Sequence, residues 1–106
     1  MENESGIPEK VELSGFREVD SSVMMQVHKV ISSNYRKLSE HSKNILALHI
    51  TLKPVHEREK SEKYEINVKF VDNGKQYFSE VTDRNLMTAV DDALVKITNE
   101  LLHKKR

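Results

Sequence analysis

The sequence predicts an α+β domain in two layers: a four-stranded sheet, built in the order βαβββα, with two helices packed on one face. Three observations predict it. Apolar and polar residues alternate in four separate stretches, as half-buried strands require. In two other stretches the apolar residues recur every three or four positions, as amphipathic helices require. These stretches follow one another as strand, helix, three strands and helix, an order that leaves both helices free to cover the same side of one sheet.

Residues 1–9 are polar, hold Gly6 and Pro8 and show no period, so a flexible lead-in is expected before a single domain over residues 10–106. Val11 and Leu13 alternate with Lys10, Glu12 and Ser14, giving a short strand that ends at Gly15. Asp20 or Ser21 can cap the first helix by accepting a backbone N–H. Val23, Val27, Val30, Ile31 and Leu38 form its apolar stripe, Gln26, Lys29, Ser33, Arg36 and Lys37 lie opposite, and its end is expected near Glu40. From Leu46 the period is two: Leu46, Leu48, Ile50 and Leu52 face one way, and Ala47, His49, Thr51 and Lys53 the other. Pro54 cannot donate to a ladder and is expected to end regular pairing, and residues 56–63 form a mixed-sign charged connection. Tyr64, Ile66, Val68 and Phe70 define one face of a third strand. Asn73-Gly74 suits a two-residue hairpin turn with positive φ at both positions. Lys75 to Val81 is the fourth strand, with its inward face left open between Phe78 and the pair Tyr77 and Val81. Thr82 or Asp83 caps the last helix, whose stripe is Leu86, Ala89, Val90, Ala93, Leu94, Ile97 and Leu101.

With 106 residues the chain can bury one core, and 37% hydrophobic against 32% charged residues is ordinary for a hydrated globule. The absence of cysteine excludes a disulfide framework, a thiolate metal site and a cysteine nucleophile. The apolar runs are too short to span a bilayer and the N-terminus is acidic, so a cytoplasmic protein is expected. The 17 basic and 17 acidic residues cancel overall, but the basic ones concentrate on the two predicted helices.

Nothing here composes a catalytic centre, and no enzyme, cofactor or metal is expected. The five histidines include no pair at helical three- or four-residue spacing. Asp91 and Asp92 are adjacent on a helix and point about 100° apart, so they do not converge on one substrate. No nucleophile elbow or phosphate-cradling loop occurs, and a core that uses nearly all the large hydrophobes leaves little room for an enclosed ligand cavity. Neither a membrane nor a small-molecule substrate is an expected partner. Lys29, Arg36, Lys37, Lys96, Lys104 and Lys105, with Arg106, are the distributed feature suited to phosphate, which is bound by spaced charges and needs no pocket. Their bland role is to keep two helices soluble. Tyr64 and Phe70 fall on the buried side and make no base-stacking platform.

The stretch Asn85-Leu86-Met87-Thr88-Ala89-Val90-Asp91, followed by Lys96-Ile97 and Glu100-Leu101, resembles the last helix of the ribosome hibernation-promoting factor (ribosome-associated inhibitor) family. Ser14-Gly15, the apolar positions Val19, Val23, Val27 and Ile31, and Tyr64-Glu65-Ile66-Asn67-Val68 are similar to the family's first strand end, first helix and third strand. The resemblance runs from Leu13 to about Lys105 and implies a βαβββα fold like a double-stranded-RNA-binding domain with one added strand. It also implies binding to the small ribosomal subunit, with exclusion of messenger and transfer RNA by occupancy alone. Lys96 matches a basic family position, whereas Met24, Val30, Ser33 and Asn99 stand where the family tends to be basic. The alternative is a protein-interaction module of the same fold that forms a homodimer through an edge strand. One positive strip across both helices favours RNA, and mixed charge favours a protein partner.

Overall fold

The computed structural model describes residues 7–56 and 62–104. Its elements are β1 (Val11–Ser14), α1 (Ser21–His41), β2 (Ile45–His56), β3 (Glu62–Asp72), β4 (Lys75–Asp83) and α2 (Leu86–Lys104), the expected order. The strands form one sheet ordered β1-β2-β3-β4. β1 pairs parallel to β2 through α1 as crossover, and the remaining pairs are antiparallel, so the sheet is mixed. Packing begins at Ile7, which is buried, and the Val11 N–H donates to the Pro8 carbonyl at 3.1 Å. Residues 1–6 of the expected lead-in lie outside the described residues.

Strand alternation fixes the buried face. Leu48, Ile50 and Leu52 of β2 stand opposite Phe70, Val68 and Ile66 of β3, and Phe70 stands opposite Tyr77 of β4. All seven are buried in one cluster with Val27, Ile31 and Leu38 of α1 and Ala89, Val90, Leu94 and Ile97 of α2. Both helices therefore lie on the same side of the sheet, as a single apolar face demands. Val23 and Met87 line one depression at the start of the helices, Asn34 meets Asp91 midway, and His41 and Leu101 line another depression at their ends. The two helices thus run side by side in the same direction.

Four sequence expectations change in the fold, and the inward face left open for β4 is decided. Leu46 does not join the buried row and is 47% exposed, because an extra residue interrupts the β2–β3 register between Ile45 and Ala47. Pro54 sits within β2, opposite Tyr64. β1 ends at Ser14 opposite Thr51, so β2 has an open side there and no ladder bond is lost to the missing N–H. The inward residue of β4 is Tyr77, whose ring centroid lies 6.1 Å from that of Phe70, and Phe78 is 62% exposed. The cap of α2 is Asn85, whose Oδ1 accepts the Thr88 N–H at 2.9 Å, while Asp83 accepts the Asn85 N–H at 2.8 Å. The charged connection is also shorter than expected, since β2 reaches His56 and β3 starts at Glu62; residues 57–61 lie outside the described residues.

The β3–β4 turn has φ of +53° at Asn73 and +86° at Gly74, as the Asn-Gly pair predicts. Just before it, buried Asp72 accepts the backbone N–H of Lys43 at 3.0 Å and of Asn44 at 2.7 Å, tying the α1–β2 connection to the hairpin. Asp72→Ala leaves both part-buried donors without that acceptor, and a loss of about 2 kcal/mol in denaturant unfolding is expected. Asp72→Asn keeps an acceptor and is expected to recover part of it.

Candidate nucleic-acid interface

The outward side of α1 follows from its buried side. Val27, Ile31, Asn34 and Leu38 recur every three or four residues and face inward, which leaves Lys29, Arg36 and Lys37 exposed. Lys29 and Arg36 are seven residues apart, two turns or about 10 Å along the axis. Lys37 lies three residues after Asn34, which touches α2, and so stands on the shoulder beside α2. Among the described residues none of these three cations lies within ion-pair distance of a carboxylate; an ion pair does link His49 to Glu12 at 3.3 Å, on the other face of the sheet. Burial pushes the neighbouring Tyr35 phenol above its ordinary pKa, so it stays neutral at physiological pH and adds no anion.

Lys96 is placed elsewhere. Asp91 marks the flank of α2 that faces α1, and Lys96 leaves the helix on the other flank, with its Nζ 3.3 Å from the Glu80 carbonyl of β4. It does not join the α1 cations. The Lys104 side chain, Lys105 and Arg106 lie outside what is described. The outer surface of α2 carries exposed Asp91 and Asp92, with Val95 at 37% and Leu102 at 40% exposure. The helical roof is therefore cationic on α1 and acidic and apolar on α2, not one positive strip. The exposure of Val95 and Leu102 is readable in sequence, because both fall outside the α2 stripe. Phe78 was missed as a surface group because alternation alone left the inward residue of its strand open.

The remaining candidates compose no reaction centre. Asp91 accepts a hydrogen bond from Asn34 Nδ2 at 2.8 Å and Asp92 is exposed, so the two do different things. No group of three or more His, Cys, Asp or Glu among the described residues is arranged to hold a metal. A depression of about 590 Å³ opens between the starts of the helices and the far end of the sheet, lined by Val23, Leu52, Pro54, Tyr64 and Met87 with Glu18, Asp20 and Arg84. It is an open surface depression and not an enclosed cavity. No helix among the described residues is long and apolar enough to cross a membrane.

Solved structures share this architecture, two of which are informative. One, described as a ribosomal subunit interface protein from Coxiella burnetii, superposes with a TM-score of 0.61 at 16% identity, covering 90% of this chain and 96% of that one. The chain has the fold of a ribosomal subunit interface protein. The other, the N-terminal domain of Protein Y from Thermus thermophilus, gives a TM-score of 0.51 at 13% identity over 86% of this chain and 91% of that one. The resemblance drawn from the sequence is borne out at the level of the fold. No protein-family model matches the sequence, and no curated protein matches it significantly.

Proposed function

We propose that this chain is a translation-associated module that binds the small ribosomal subunit, or structured RNA of that kind, and acts by occupying its site. The observation that carries this is the exposed trio Lys29, Arg36 and Lys37, unpaired with carboxylates among the described residues, on a fold also found in a ribosomal subunit interface protein. Phosphate oxygens need spaced cations on a surface, not a pocket, and α1 provides such spacing. Lys104 and Lys105, close to the end of α2, are proposed as further contacts. Occupancy requires no covalent step. Sedimentation of purified protein with isolated small subunits tests the proposal. Comigration at low salt that is lost as salt rises is the expected result. Absence of comigration at the lowest salt at which the subunits remain intact rejects it.

A second reading is favoured by the outer face of α2. Asp91 and Asp92 repel phosphate, and exposed Val95 and Leu102 suit a protein surface. In that case the partner is a protein bound through the roof. Binding that survives high salt and is abolished by Val95→Asp with Leu102→Asp would establish it over the RNA reading.

A further inference from the structure

Among the described residues the longest unpaired strand edge of the sheet is that of β4. β1 closes one side with only four residues, while β4 runs for nine on the other. Asp72 and Lys75 flank the two-residue turn and stand opposite each other, so they exchange both ladder bonds. Counting on from that pair, the odd positions of β4 bond to β3, and the backbone groups of Gln76, Phe78, Glu80 and Thr82 point away from the sheet. The Lys96 ammonium at 3.3 Å from the Glu80 carbonyl agrees with this count, because it reaches that carbonyl from outside.

We propose that β4 is a latent pairing edge for a second copy of this chain, and that Lys96 holds it closed. The occupant follows from the side chains of the outward-bonding residues. Gln76, Phe78, Glu80 and Thr82 include one charge and one phenyl ring that is 62% exposed. An antiparallel copy related by a two-fold axis at Phe78 sets Phe78 opposite Phe78 and Gln76 opposite Glu80, with no like charges opposed. An axis at Glu80 would oppose two carboxylates and is disfavoured. Lys96 resists either arrangement. Its ammonium occupies an acceptor at the middle of the edge, and two copies would bring two such ammoniums to one seam. A lysine at a strand edge is a common protection against strand addition. Lys96 is thereby assigned to edge protection rather than to phosphate.

Light scattering of the full chain on a sizing column, from micromolar to millimolar concentration, tests this and reads mass rather than ribosome binding. Its failure therefore leaves the ribosome proposal standing. Wild type and Lys96→Arg are expected to remain monomeric, and Lys96→Met to self-associate at least tenfold more tightly than wild type. Adding Glu80→Pro removes one outward N–H and is expected to return Lys96→Met to monomer. If that proline prevents folding by circular dichroism, Phe78→Lys serves instead, since it opposes two ammoniums across the seam. A folded Lys96→Met that stays monomeric throughout overturns the proposal. So does a wild type that is already dimeric, or a dimer that survives the second substitution.

Discussion

Replacing Lys29, Arg36 and Lys37 together with Glu is expected to weaken small-subunit binding by about a hundredfold or more. The scale is roughly 1 kcal/mol for each surface charge contact, three of which are lost, with a factor of ten for every 1.4 kcal/mol. The reversed charges add repulsion to that loss. Salt dependence carries the diagnostic weight. If each residue neutralises one phosphate, the slope of log affinity against log salt falls by nearly one for each residue removed, so the triple variant should show a slope shallower by about 2 to 3. Stability should change little, because all three side chains are exposed and lack carboxylate partners among the described residues. A triple variant that binds with unchanged affinity and unchanged slope would remove α1 from the contact surface and leave the roof of α2 as the docking face.

Those cations were legible before any coordinates because helix periodicity assigns sides reliably. Val27, Ile31 and Leu38 fix where the core is, and Lys29 and Arg36 must then point away from it. The Asn73-Gly74 turn was legible for a similar local reason, since its φ values need those residue types. What the sequence left open depends on which strand lies beside which. Lys96 reads as one more basic residue on α2 until β4 is known to be the edge strand whose Glu80 carbonyl it meets. Pro54 reads as a strand terminator until β1 is seen to stop short of it. Leu46 reads as a core residue because a register irregularity leaves no mark on an alternating pattern. In each case a long-range pairing overrides a correct local rule.

The same dependence on long-range pairing makes Gly15 the most sensitive position outside the core. It follows β1 directly, with φ of +84°, a left-handed conformation that costs an L side chain about 1–2 kcal/mol. A Cβ placed there would also lie 2.1 Å from the Leu52 carbonyl oxygen and 3.1 Å from its carbonyl carbon. Both atoms belong to the backbone of β2, so no rotamer change relieves the clash, and the end of β1 must separate from β2. β1 holds only four residues, which limits what its pairing can offset. Gly74 provides the internal comparison: its φ is +86°, yet nothing lies within 4 Å of a Cβ built there. Gly74→Ala should therefore cost only the conformational term, about 1 kcal/mol, whereas Gly15→Ala should cost more than about 3 kcal/mol. At roughly 4–8 °C per kcal/mol for a domain of this size, the two melting temperatures should differ by at least about 8 °C. Equal losses at the two glycines would mean that β1 does not approach Leu52 closely, and the parallel pairing that routes the chain into α1 would have to be redrawn.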